Sequence, residues 1–410
     1  MSFSTFIMSI AMRFRLLVRF AQGSHVWRSV AAVVVAAVAL LGGGWAMAGE
    51  PGGASPRVIG GEPTTGEAHP YLVSIGLAHP VGAPWMERHI CGGTLISERH
   101  VLTAAHCVAA YRTSWAANPA TFAVARPGSS GQLSSARVES RIHRISIHPQ
   151  YDWQTARFDA AIIELDRSLD GVTPLQPSAP SDQGLEASGI DAVAPGWGST
   201  VSGGKVVNSL MQGHLAVIDS AQCASSQSHS FLGTYFGGLG DAVHTESMLC
   251  AMGHRDGVVI DTCQGDSGGP LVVGQGSEAR LIGITSWGRG CAIRWPGVYT
   301  RVSAVHDWIG DQTDVAELEA ILSNVKVQEI EARRVELWSV VLSARVNAPV
   351  TLSFPYLGWL KTCDITPERN ACDLSMTRGK RLRITQTVWF DEHTAVVIGR
   401  TSVRITAKGG

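Results

Sequence analysis

Three short segments hold residue types that could act together on an acyl group. They are Leu102-Thr103-Ala104-Ala105-His106-Cys107, Phe158-Asp159-Ala160-Ala161-Ile162-Ile163-Glu164-Leu165 and Asp261-Thr262-Cys263-Gln264-Gly265-Asp266-Ser267-Gly268-Gly269-Pro270. Splitting a peptide bond needs a nucleophile, and a serine hydroxyl is weak until a base removes its proton. A histidine suits that task because its pKa lies near neutrality. The histidine in turn needs a buried carboxylate to fix its tautomer and stabilise the imidazolium. Ser267, His106 and Asp159 can fill these roles. Negative charge then develops on the substrate oxygen, and backbone N–H groups can stabilise it. The glycine-rich turn around Ser267 lets such groups converge, and Gly265 and Ser267 are placed to supply them. Taken singly, each piece has a plainer reading: a structural histidine, a turn aspartate and a glycine-rich loop.

Elements that could position these residues are legible around them. From Val58 to about Ile309 the chain is rich in glycine and holds short apolar runs of β character. Leu72-Val73-Ser74-Ile75, Thr94-Leu95-Ile96, Ala161-Ile162-Ile163 and Leu281-Ile282-Gly283-Ile284 are examples, separated by turn residues. Many short strands with Gly/Pro punctuation predict an all-β barrel or sandwich. Val305, Trp308 and Ile309 fall on one helical face behind Ser303, which can cap a short closing helix.

Residues 313–410 read as a small, mostly β domain. Asp314 and Glu317 have capping-box spacing ahead of Val315, Leu318 and Leu322. Strand-like alternation follows at Val325/Val327, Val335/Leu337, Leu382/Ile384 and Val403/Ile405. This segment contains no repeat and no chemical motif.

Residues 1–48 differ in composition. Arg13, Arg15, Arg19 and Arg28 precede an apolar run from Val30 to Leu41, and Ala46-Met47-Ala48 has the small-residue spacing of a cleavage site. Two readings stay open: an export signal cut after Ala48, or an uncleaved membrane anchor extended by Trp45 and Ala46. Export implies an oxidising surrounding, so the eight cysteines predict four disulfides. No pair has C-x-x-C spacing, so a zinc site is not expected.

Taken together and in the order His, Asp, Ser, the three segments resemble the chymotrypsin/trypsin family of serine peptidases, and the likeness spans Val58 to Ile309. The resemblance implies two six-stranded antiparallel β-barrels with the active site between them. It also implies the disulfides Cys91–Cys107, Cys223–Cys250 and Cys263–Cys291; Cys363 and Cys372, close in sequence, would close a local loop. Asp261, six residues before Ser267, matches the pocket aspartate of trypsin-like members, which selects Arg or Lys. Ser286-Trp287-Gly288 and Pro296-Gly297-Val298-Tyr299 match the pocket walls, and Gly288 and Gly297 would leave the entrance open. Arg57-Val58-Ile59-Gly60-Gly61 matches the activation site. Cutting after Arg57 would free an ammonium on Val58 to pair with Asp266 and complete the oxyanion hole, with 49–57 as the propeptide and 58–312 as the peptidase domain.

The expected partners are protein or peptide substrates with Arg or Lys before the cut, protein inhibitors, and an unidentified partner of the C-terminal domain. A formal net charge of -1 and the lack of a basic run after the N-terminal segment exclude nucleic acid as an expected ligand. The stretch from Gly128 to Ser140, where some family members bind calcium, holds only Glu139 as an acid, so no metal and no other cofactor is expected. The rival reading is a catalytically inactive relative acting as a binding or adhesive protein; such relatives usually lose a triad residue or the activation site, and this chain keeps them.

Overall fold

The computed structural model describes residues 59–406, apart from positions 81, 110–117, 170, 314–323, 337, 358, 377–378 and 390–392. The expectations for the N-terminal segment, for Arg57 and Val58, for Leu337 and for the helix behind Asp314 lie outside the described residues. Among the described residues no helix is long and apolar enough to cross a membrane.

β-Branched residues favour extended backbone, and short runs of them build the first barrel. Its strands are Leu72–Leu77, His89–Leu95, His100–Thr103, Phe122–Arg126, Arg137–Ile147 and Ala161–Leu165. The long strand Arg137–Ile147 pairs with both Phe122–Arg126 and Ala161–Leu165, and this double pairing closes the ring. Val73, Ile75, Val101, Ile145 and Ile163 are fully buried inside it.

The second barrel uses Asp191–Gly196, Met211–Ile218, Met248–Arg255, Pro270–Val273, Arg280–Gly288 and Gly297–Arg301, closed by pairing of Met211–Ile218 with Met248–Arg255. Leu215, Val217, Leu249, Leu271, Ile282 and Tyr299 fill its centre. The architecture is therefore the expected pair of six-stranded antiparallel barrels. A helix, Val302–Thr313, follows with Val305 and Ile309 buried. It runs past Ile309 and begins before Ser303, so that serine sits in the first turn rather than capping it from outside.

All four disulfides are formed: Cys91–Cys107, Cys223–Cys250, Cys263–Cys291 and Cys363–Cys372. The first pins the strand His89–Leu95 to the short helix that carries His106. The third joins the Ser267 loop to the segment behind the strand Arg280–Gly288.

The C-terminal strands, Val327 to Thr406, have their own core of Val340, Leu342, Leu352, Phe354, Ile365 and Ile384. They belong to the same compact unit as the barrels. The last strand, Thr394–Thr406, continues the first barrel's sheet: Thr394, Ala395 and Val396 stand opposite Ser146, Ile145 and Arg144. Polar contacts reinforce the seam. The Arg400 guanidinium pairs with Asp166 at 2.7 Å and donates to the Ile142 carbonyl at 2.9 Å. Beneath the seam, within the first barrel, buried Arg144 pairs with Glu164 at 2.9 Å and donates to the carbonyl of Gln312 in the closing helix at 2.6 Å, so its charge is matched where water is excluded.

Ala395 is fully buried between Ile145 and Trp389, each on a neighbouring strand. Proline there removes a ladder donor from a central strand and leaves a buried carbonyl unpaired, so Ala395→Pro is expected to destabilise the unit by about 1–3 kcal/mol. Thermal unfolding monitored by circular dichroism checks this; an unchanged midpoint would mean that the seam contributes nothing.

Candidate active site

His106 and Asp159 meet because their strands are neighbours. The strand His100–Thr103 leads into the short helix Ala105–Val108, and the strand Ala161–Leu165 follows Asp159. Thr103 stands opposite Ala161, which brings the two side chains together. His106 Nδ1 and Asp159 Oδ2 lie 2.7 Å apart, and the His106 backbone N–H donates to Asp159 Oδ1 at 2.9 Å. The second barrel completes the carboxylate's shell. The Ser286 hydroxyl donates to Asp159 Oδ2 at 2.5 Å, and the Thr300 hydroxyl donates to the Asp159 carbonyl at 2.9 Å. Asp159 has no exposed surface, and its charge is met by donors on every side shown. Ser286, expected as a pocket wall, thus also holds the carboxylate.

Ser267 and His106 face one cleft of about 550 Å³, which Asp261, Trp287, Gly288 and Gly297 also line. Backbone bonds tie the Ser267 turn to both barrels. The Gly92 N–H donates to the Ser267 carbonyl at 2.8 Å, and the Gly268 N–H donates to the Thr285 carbonyl at 2.7 Å. Among the described residues no hydrogen bond joins the Ser267 hydroxyl to the imidazole. Nucleophile–base contacts of this kind commonly tighten only with substrate in place.

Burial pulls the His106 pKa down, but the charge of Asp159 and its hydrogen bond outweigh this and hold it above the usual 6.5. A protonated imidazole cannot accept the serine proton. Activity is therefore expected to fall as pH drops through a midpoint above 6.5, with kcat/KM against pH as the measurement. An acid limb centred below pH 6 would contradict it.

Gly265 adopts φ +100°, and a Cβ there would stand 2.6 Å from Val206 Cγ1, so both backbone and space demand glycine. Its carbonyl is held by a residue that no sequence motif flagged. His89 Nε2 lies 3.0 Å from the Gly265 oxygen, and His89 Nδ1 lies 2.7 Å from the Ser74 hydroxyl. The Trp85 indole N–H donates to that hydroxyl at 2.7 Å. The Gly265 carbonyl can only accept, so Nε2 carries the proton and donates to it, and Nδ1 of the neutral ring accepts from the Ser74 hydroxyl. Burial pushes the His89 pKa down to about 4, so the ring stays neutral and the tautomer is set.

Asp266 is buried. Its carboxylate accepts from the Gly198 N–H at 2.7 Å and the Cys263 N–H at 2.9 Å. Burial raises its pKa to about 6 against the pull of those bonds. Ile59, the second residue after the expected cut, is bridged to the pocket segment: the Asp261 N–H donates to the Ile59 carbonyl at 3.2 Å.

Asp261 lies at the cleft floor with 1 % of its surface exposed. One oxygen accepts from the Ala292 N–H at 2.9 Å; the other is buried with no partner. Burial lifts its pKa to about 7. A Cβ at Gly297 would come 2.7 Å from that unpartnered oxygen, so only glycine leaves it reachable. A buried carboxylate oxygen with no donor is costly to leave unmet.

The family model described as trypsin matches residues 58–309. This chain belongs to the trypsin family of serine endopeptidases. It is 34% identical over 264 residues to Trypsin 5G1 of Aedes aegypti, covering 62% of this chain and 84% of that one. It is likewise 34% identical over 255 residues to Trypsin epsilon of Drosophila erecta, covering 62% and 86%. To Transmembrane protease serine 9 of Rattus norvegicus it is 35% identical over 271 residues, covering 65% of this chain but only 23% of that protein. The family match stops at Ile309, so the C-terminal strands lie beyond it. Cys91, His106 and Cys107 bring ligand-type atoms close together, but the two sulfurs are joined in a disulfide and offer no thiolate to a metal.

Proposed function

We propose that this peptidase cuts after Arg or Lys through an acyl-enzyme, and that it is exported as a precursor activated by cleavage after Arg57. Ser267 Oγ attacks the scissile carbonyl carbon as its proton passes to His106 Nε2. Asp159 stabilises the resulting imidazolium. The N–H groups of Gly265 and Ser267 face the oxyanion. His106 then protonates the leaving amine, and water attacks the ester by the same route in reverse. The observation that carries the specificity is the unpartnered Asp261 oxygen at the floor of the cleft that Ser267 lines. A guanidinium or ammonium there would replace a buried lone charge with a pair.

Processed protein assayed with Arg-amide and Phe-amide substrates tests this reading. It predicts turnover of the first and little of the second; the reverse preference would overturn it. Activation after Arg57 is supported by the Val58-Ile59-Gly60-Gly61 sequence and by Asp266, buried with no cation beside it among the described residues. Since Arg57 fits the proposed pocket, the enzyme could process itself. A Ser267→Ala precursor purified alone is then expected to keep its residues before Val58, as read by N-terminal sequencing. Processing of that preparation would assign the cut to another protease.

A further inference from the structure

The strands Arg381–Trp389 and Thr394–Thr406 pair so that Arg381 stands opposite Arg404 and Arg383 opposite Ser402. Leu382 and Ile384 between these positions are buried in the C-terminal core, so the arginines point outward. The strand Val327–Glu336 adds a fourth: Ala332 is buried opposite Ile405, and exposed Arg333 stands opposite Thr406. Arg333, Arg381, Arg383 and Arg404 thus share the exposed face of three adjacent strands. With strands about 4.8 Å apart, the cluster is about 10 Å wide. Neither Arg381–Trp389 nor Thr394–Thr406 contains an acidic residue; Glu331, two residues before Arg333, shares its face. Among the described residues none of the four arginines forms an ion pair.

Like charges directly opposite each other weaken a sheet. The Arg381–Arg404 pair therefore works against the fold, and such breaks of a local rule are expected where a surface has a task. The neighbouring surface narrows the task. A shallow cleft of about 450 Å³ adjoins Arg404 and is lined by Gln386, Thr401, Ser402, Glu329 and Ile330. Thr401 stands opposite buried Ile384 and so lies on the core side, while the Ser402 hydroxyl, opposite Arg383, shares the arginine face. That hydroxyl suits a polyol, and guanidinium forks suit sulfate and carboxylate. No aromatic ring lines the cleft for base stacking, as single-stranded nucleic acid would use. The exposed large apolar residues of this module, Trp338 and Leu357, are not part of it, which argues against insertion into lipid.

We propose that this face binds an acidic polysaccharide, with its sulfate or carboxylate groups on the arginines and a hydroxyl at Ser402, and so holds the peptidase at a polyanionic surface. The test uses the full chain as Ser267→Ala, to prevent self-digestion, with heparin as the probe and poly(dT) and phosphatidylglycerol vesicles as the competing chemistries. Heparin is expected to bind with a salt-dependent affinity that Arg381→Glu/Arg404→Glu lowers at least tenfold. In the active protein the same pair is expected to leave Arg-amide hydrolysis unchanged. The neutral pair Arg381→Thr/Arg404→Thr is expected to weaken heparin binding while raising the unfolding temperature. Undiminished heparin binding in both pairs, tighter binding of poly(dT) or vesicles than of heparin, or a lower unfolding temperature in the threonine pair would overturn the proposal.

Discussion

Ser267→Ala is expected to lower kcat on an Arg-amide substrate by about 10⁵–10⁶-fold while leaving binding of an aromatic amidine unchanged. The hydroxyl is the group that forms the covalent bond. Asp159→Asn should cost about 10⁴-fold, a size carried over from the Ser-His-Asp constellation of this family. The structural reason is visible here. Asp159 receives His106 Nδ1–H at 2.7 Å, and an amide could turn its NH₂ toward that nitrogen and select the wrong tautomer. The Ser286 and Thr300 contacts would still hold the segment in place. Stopped and steady-state assays of the processed variants measure both effects; wild-type turnover in either variant would remove that residue from the mechanism.

Asp261→Ser is expected to lower kcat/KM for Arg and Lys substrates by about 10³-fold, because it removes one partner of a buried charge pair. The same substitution should strengthen the fold at alkaline pH. Asp261 has its pKa raised to about 7, above the ordinary 3.8, so between these values the folded protein keeps a proton that the unfolded chain has lost. That contribution is fully present below about pH 4 and is lost as pH rises through 7. The serine variant lacks this loss. It should therefore exceed the parent in stability by about 1–3 kcal/mol at pH 8, and the gap should close toward pH 4. Denaturant unfolding at the two pH values measures it. A parent that is the more stable at pH 8 would mean that the carboxylate is satisfied within the fold.

Much of this enzyme is legible in its residues because the site is assembled from short local segments. His106, Asp159 and Ser267 each sit in a run whose neighbours also matter, and the barrel register needed to join them is carried by strands that read as strands. The C-terminal module was legible only as alternation. Val403/Ile405 announces a strand, but nothing local announces that Thr394–Val396 will pair with Arg144–Ser146 some 250 residues earlier, since ladder bonds come from backbone. The hold of His89 on Gly265 was hidden for the same reason: a lone histidine on a strand has no spacing signature. The double duty of Ser286 emerged only when Asp159 arrived beside it. The arginine face needed register too, because Arg381 and Arg404 are neighbours across strands and not along the chain.

The most direct test is covalent. Protein processed after Arg57 is treated with a peptidyl-arginine diphenyl phosphonate, in which a serine oxygen displaces phenoxide from phosphorus, and the adduct is mapped by mass spectrometry. Modification of Ser267, blocked by an aromatic amidine and absent in Asp261→Ser, is the predicted result. An adduct on another residue, or labelling of Ser267 that ignores Asp261, would contradict it.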